Sequence, residues 1–573
     1  TLPDLQGSLD WKDIMKAFHQ LAEQGFTTFD CADIYTGAEE VIGRFVLDLK
    51  GTGRYQEEDI QVHTKFVPDK DVLPVINMEY TERIVDRSLK RMHREALDLV
   101  QFHWWDFDVP GMLLELLSHQ NLADMRYGLD PNFRFTVSRA IYKGMLKFLA
   151  NRYGKPYVVQ PLPVNSLSAV FSGDNRVKLS WKPTEDSIEP TATTNGYMIY
   201  TRIDDGAWQE SFRLDRPAVR DGKVSADISI EAGHIYSFKV RAYNDGGLSF
   251  PSEILAAGTP AGAKAGETVL VVNNFDRVSC PAWFDTPTYA GFDGTLDGGV
   301  AYMKDITYSG RMYEFNRQRP WEDDDNPGFG GSFTDEAGMQ VAGNSFDYPY
   351  IHGKSLMALG RRFCSMSTAA FQADEAPSYA SVADIICGKQ VTVSSGRPGA
   401  LPDRFQVFPE ALRNGIRNFT AGGGDVLVSG SNIGTDIWSK VYPVQQDSLN
   451  RAESKKFVQE VLGYKWIANY ASRAAVAAPM RNKVLTDMPQ DLKVAFHNTP
   501  NEEIYCAETP DGLLPASGNA AIIMRYTDTH IGAGIAFDGG KWQAVSFGFP
   551  LEIIKCEDQR TALMKVALDF FKN

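Results

Sequence analysis

Four residues of this chain form a set that can move a proton onto a carbonyl oxygen: Asp30, Tyr35, Lys65 and His103. Asp30 and Tyr35 belong to Gly25-Phe26-Thr27-Thr28-Phe29-Asp30-Cys31-Ala32-Asp33-Ile34-Tyr35, which reads as a helix end, a turn and a buried strand. The acid and the phenol stand too far apart for one strand end, so a loop must follow Asp30 if both are to face one pocket. Lys65 comes at the end of DIQVHTKF and His103 at the end of LDLVQFH, two further short apolar runs. Each residue alone is ordinary. A carboxylate, a phenol, an ammonium and an imidazole, each delivered at the end of a strand, are a proton-transfer set.

The elements that must carry them alternate. Residues 11–24 place Trp11, Ile14, Met15, Phe18 and Leu21 at helical spacing, with Gly25 as the stop. GAEEVIGRFVLDL reads as a second helix stopped by Gly51-Thr52-Gly53, and EYTERIVDRSLKRMH as a third. Helices alternating with short apolar strands predict βα units and a parallel sheet.

A chain of 573 residues is too long for one core and predicts about three to five domains. A net charge of −15 argues against nonspecific nucleic-acid binding. No apolar run is long enough to span a membrane. No leader pattern is read in the chain, which opens on Thr rather than Met. The six cysteines form no CxxC pair, so they read as free thiols and a zinc ribbon is not expected.

Residues 1–108 resemble an aldo/keto reductase, on FDCADIYTGAEEVIGRF, VHTKF, RSLKRM and LDLVQFHW. The resemblance implies roles. Tyr35 would be the general acid that protonates the carbonyl. A free phenol titrates near pKa ~10, so it needs help near neutrality. Lys65 would supply that help, Asp30 would hold Lys65, and His103 would orient the carbonyl by a hydrogen bond. NADP would be the cofactor and a small carbonyl compound the substrate. Such enzymes are closed (β/α) barrels of ~250 residues with the phosphate site in the loops after strands 7 and 8. Only about three strands precede the change of pattern at Asp108-Val109-Pro110-Gly111. The expectation is therefore a partial barrel that keeps the acid half of the site, lacks the cofactor loops and is impaired as a reductase.

Residues 109–157 resemble the C-terminal strand and helix of a zinc-dependent N-acetylmuramoyl-L-alanine amidase of large Bacteroidales envelope proteins. Glu115 matches the glutamate that assists the zinc-bound water there. That family's zinc ligands lie upstream and have no counterpart here, so no metal site is expected and Glu115 reads more simply as a buried or paired carboxylate. Residues 158–258 carry short alternating strands and resemble a fibronectin type III sandwich, with Trp181 as core and Tyr236 as the corner tyrosine. Residues 259–267 read as a linker. Residues 268–573 open on TVLVVNNF and read as a doubly wound, flavodoxin-like α/β domain whose ligand face lies at the strand C-termini. This part resembles the C-terminal region of the same envelope proteins, called xanthan-lyase-like or golvesin-like. Gly430-Ser431-Asn432-Ile433-Gly434 is not a nucleophile elbow; such a turn could hold an anion but is more often just a tight turn. His352 is the lone candidate in YPYIHGKS, and Asp323, Asp324 and Asp325 form an acidic loop.

Two readings follow: an NADP-dependent carbonyl reductase module on a cell-envelope body, or an amidase-derived periplasmic or secreted scaffold with glycan or protein contacts through the sandwich. The reductase part points to the cytoplasm and the body to the envelope, so localisation stays open.

Overall fold

The computed structural model describes residues 11–24, 26–52, 59–69, 71–72, 75–102, 116–118, 121–262, 268–307, 312–316, 329–332, 338–372, 376–396, 401–438 and 448–571. Gly25, Gly53, His103, Glu115 and Asp323 to Asp325 lie outside these. The chain divides into two compact units, Thr1–Leu116 and Leu117–Asn573.

The first unit is a parallel sheet in the order β1-β2-β3: Thr28–Asp30, Gln61–Phe66 and Leu99–Phe102. Helices α1 (Trp11–Glu23), α2 (Ala38–Thr52) and α3 (Met78–Met92) follow the predicted alternation. α2 runs through Gly51 and Thr52 instead of stopping before them, because the Thr52 hydroxyl donates to the Leu49 carbonyl at 2.8 Å and satisfies the last turn. β1 is shorter than predicted. After Asp30 the chain turns, held by the Cys31 and Asp33 amides donating to the His63 and Lys65 carbonyls. The core stacks Phe18, Phe29 and Phe45 at 5.0–5.4 Å. Gly43 lets α2 pass α3, since a Cβ there would lie 2.2 Å from the Arg91 carbonyl oxygen.

The second unit begins with α4 (Leu122–Gly128) and α5 (Pro131–Tyr153). The predicted turn at Tyr127–Pro131 is a helix end followed at once by a cap. Asp130 accepts from the Asn132 amide, and Pro131 takes the first helical position, where no amide hydrogen is needed. A β-sandwich follows. One sheet holds β4 (Asn165–Gly173), β5 (Arg176–Lys182) and β8 (Val224–Ser229). The other holds β6 (Gly196–Ile203), β7 (Gln209–Asp215), β9 (Ile235–Asn244), β10 (Gly247–Leu248) and β11 (Leu255–Gly258). Trp181 is fully buried against Tyr197, and the Tyr236 hydroxyl accepts from the Glu231 amide at 3.2 Å, which pins the corner.

The α/β region centres on β12 (Thr268–Asn273), buried at every position as a parallel central strand must be. Strand Arg362–Ser367 lies on one side of β12. Ala380–Gly388, Asp425–Gly430 and Gln543–Phe547 follow on the other, all parallel. Beyond them Gly532–Asp538 and Ala520–Tyr526 run antiparallel, because tight hairpin connections reverse direction. This domain is therefore mixed rather than wholly parallel. Strand Arg362–Ser367 also pairs with β4 and touches β11, so sandwich and α/β sheet are hydrogen-bonded together.

Gly43→Ala should cost about 1–3 kcal/mol in the first unit, because helix backbones must separate. Limited proteolysis would show faster cleavage within residues 1–116, whereas unchanged cleavage would mean that the helices do not pass so closely.

Candidate functional site

Asp30 ends β1, Lys65 lies in β2 and Tyr35 follows in the turn after β1. Three of the four predicted residues therefore meet at the C-terminal edge of the first sheet. Lys65 Nζ is ion-paired with Asp30 Oδ2 and donates to the Cys31 carbonyl at 2.9 Å. It stands 5.9 Å from the centre of the Tyr35 ring. The ammonium thus faces the ring and its charge is shared with Asp30. His103 would follow β3 directly but lies outside the described residues, as does Glu115.

The run RSLKRM carries two arginines, Arg87 and Arg91, whose task only the structure shows. Arg87 pairs with buried Asp33 at 2.8 Å, and Asp33 also accepts from the Val67 amide at 3.0 Å. Burial raises the Asp33 carboxyl, and these partners only partly offset it. Arg91 pairs with Glu39 at 3.0 Å, and Glu39 accepts from the Thr64 hydroxyl at 2.8 Å. These contacts join the β1 turn, β2, α2 and α3 and so set where Asp30 and Lys65 stand. Cys31 is buried, and desolvation lifts its thiol to about 11, so it is no nucleophile.

The edge is open. Tyr35 and Asp30 are each 53% exposed, and Leu99, Val100 and Phe102 of β3 are exposed as well. A nicotinamide cofactor needs an enclosing wall and phosphate-holding loops. Among the described residues of this unit neither is formed.

In the second unit the single histidine candidate becomes a network. His352 is fully buried, with Nδ1 2.7 Å from Asp384 Oδ2 and Nε2 3.3 Å from Glu552 Oε2. The Tyr505 hydroxyl donates to Glu552 Oε1 at 2.6 Å. Both ring nitrogens face carboxylate oxygens, so both must carry hydrogen. Burial alone would drive the imidazolium down, but Asp384 first and then Glu552 hold it up at about 9. Glu552 lies 200 residues from His352, and no local pattern announced it.

The glycine turn after Asp425–Gly430 does hold an anion, and the anion belongs to the chain. Asp511 accepts from the Gly434 amide at 2.6 Å, the Thr435 hydroxyl at 2.5 Å and the Trp466 ring nitrogen at 3.0 Å. Burial still pushes its carboxyl up to about 7. Nearby, Arg277 and Lys389 pair with Asp297 at 2.5 and 2.9 Å, and Lys389 pairs with Glu508 at 2.6 Å. No group of three His, Cys, Asp or Glu side chains is placed to hold a metal among the described residues. Within the same limit, no helix is long and apolar enough to cross a membrane.

The family likeness does not stop where the first compact unit ends. Residues 1–144 match the Aldo/keto reductase family, so the chain carries an N-terminal module of that kind. The aldose reductase from Schistosoma japonicum is 27% identical over 16% of this chain and 27% of its own, with a TM-score of 0.13. Fibronectin type III domains are also among the similar structures. The fourth such domain of a human protein is 23% identical, covering 18% of this chain and 80% of its own, with a TM-score of 0.15. The sixth domain of human fibronectin type III domain containing protein 3 is 16% identical, covering 18% and 91%, with a TM-score of 0.15.

His352 gives the second unit a pH dependence of fixed sign. Its folded value of about 9 lies above its ordinary 6.5. The stabilisation it brings is therefore complete below pH 6.5 and is lost as pH rises through 9. Urea midpoints measured across that range should fall, and His352→Gln should remove this share of the fall. An equal slope in the variant would show that His352 is not charged in the fold.

Proposed function

We propose that the N-terminal unit keeps the proton-donating half of a carbonyl-reductase site, with Tyr35 as the donor, Lys65 as its electrostatic support and Asp30 as the anchor of Lys65. His103 would orient the carbonyl. The observation that carries this reading is the ion pair of Lys65 with Asp30 beside the Tyr35 ring, at the C-terminal edge of a parallel sheet. That edge is where enzymes built of βα units place their chemistry. A carbonyl compound resting there would meet the phenol. It would also meet water, because the residues are exposed and the outer strand is bare. Water weakens each electrostatic contact the site depends on. The module is therefore impaired as a reductase.

The second unit is, in this reading, a binding scaffold of the cell envelope, not an enzyme of its own. Its buried His352, Asp511 at the glycine turn, and Arg277 and Lys389 each meet partners from the chain itself. The reductase-family match runs to residue 144, past the change expected near Pro110, so in this reading the envelope-like body begins beyond it and the segment with Glu115 falls within the reductase match rather than in an amidase remnant.

NADPH fluorescence should stay unchanged when the full chain is titrated at micromolar cofactor. Saturable quenching or a spectral shift would overturn the impairment. Any NADPH-dependent carbonyl reduction that is measured should vanish in Tyr35→Phe with the circular dichroism spectrum preserved. Persistent turnover would remove Tyr35 from the role of proton donor.

A further inference from the structure

One large concavity of the second unit is not filled by its own side chains. A groove of about 700 Å³ runs between the first turns of α5 and the segments that follow β10 and β12. That size suits a small organic ligand. An unbroken file of rings lines it. Phe135 meets Phe250 at 5.4 Å, Phe250 meets Tyr302 at 6.3 Å, and Tyr302 meets Phe346 at 5.7 Å. Phe135, Phe250 and Tyr302 remain 36%, 46% and 39% exposed. Apolar rings gathered in a concavity and left open to water are a surface waiting for an apolar face.

The topology points to the same place independently. In an open parallel sheet, ligands bind at the carboxyl ends of the strands where the order reverses. Here that strand is β12, with Arg362–Ser367 on one side and Ala380–Gly388 on the other. Asp276, just past the end of β12, lines the groove. Its Oδ1 accepts at 2.6 Å from the side-chain amide of Gln390, which follows Ala380–Gly388. The segment after β12 thus supplies the wall, and the segment after Ala380–Gly388 holds it in place. Asp276 is open to solvent yet crowded by protein, and this desolvation raises its carboxyl above the ordinary range.

Charge narrows the ligand. Arg134 is paired with Asp305 at 2.6 Å, and Arg139 with Asp186 at 2.9 Å. Lys304 and Asp276 are of opposite sign, and Asp186 also serves Lys143 at 2.6 Å, which leaves a small positive excess. So small an excess does not by itself call for an anionic ligand. The walls are helix and loop rather than a strand edge, so an extended peptide would find no ladder of backbone partners. Exposed rings interleaved with donors and acceptors suit a molecule with apolar C–H faces and a rim of hydroxyls.

We propose that this groove binds a short neutral oligosaccharide, with sugar-ring faces on Phe250 and Tyr302 and hydroxyls on Asp276 and Lys304. The assignment is independent of the N-terminal unit and its reductase reading.

Calorimetric titration of the full chain with cellohexaose, mannohexaose and chitohexaose tests it, with polygalacturonate and a proline-rich peptide as competing classes. At least one neutral hexasaccharide should bind. Phe250→Ala and Tyr302→Ala should each weaken it about tenfold, the worth of one lost aromatic contact. Asp276→Asn, which keeps the shape, should also weaken binding, and Val219→Ala, outside the lining and 55% exposed, should not. If a ring variant lowers the melting midpoint, Asp276→Asn decides. No binding of any neutral probe at millimolar concentration, preference for the peptide or the anionic polymer, or unchanged affinity in Phe250→Ala and Asp276→Asn would overturn the proposal.

Discussion

A parallel strand needs cover on both faces, because its crossover connections and apolar side chains leave no side suited to water. The α/β sheet of the second unit meets this demand. β12 and strand Arg362–Ser367 are buried at every position. The outer edge of Arg362–Ser367 is closed by hydrogen bonds to β4 and β11 of the sandwich. The sheet of the first unit does not meet it. β2 alternates between buried and more open positions, whereas β3 is exposed throughout. The same kind of element therefore supports two outcomes. In one unit the strand ends feed a packed interior, and in the other they present Asp30, Lys65 and Tyr35 to solvent.

Burial also decides what the polar residues of the body can do. A charge removed from water must meet an opposite charge or a set of donors. His352 meets Asp384 and Glu552, Asp511 meets the amides and hydroxyl of the glycine turn, and Arg277 and Lys389 meet Asp297. In each case the partner belongs to the chain, so residue types that suggest chemistry in isolation act as cross-links between distant segments. The groove between α5 and the end of β12 differs in kind. Its rings remain exposed, and Asp276 is held by one side-chain amide while open to solvent.

Much of the local structure was legible in the sequence, because the signals are local. The spacing of Trp11, Ile14, Phe18 and Leu21 marks α1, the unbroken apolar run TVLVVN marks β12, and Trp181 marks a sandwich core. Boundaries were less legible where a side chain replaces the expected stop, as Thr52 does at the end of α2. The strand-end placement of Asp30 and Lys65 could also be read, because alternation of helix and strand fixes where each run ends. The glycine turn was legible as a tight turn, with an anion site only as its less expected use, and nothing nearby shows that Asp511 would fill it.

The sequence by itself determined the element types, the reductase-like motif and the residues with chemical potential. Only the tertiary structure decided which of them are enclosed, which are neutralised and which stay open. The physical reason is range. Helical spacing, strand alternation and caps act over a few residues, whereas the pairing of His352 with Glu552, the closing of a sheet edge by β4 and the meeting of Phe135 with Phe250 depend on segments far apart in the chain.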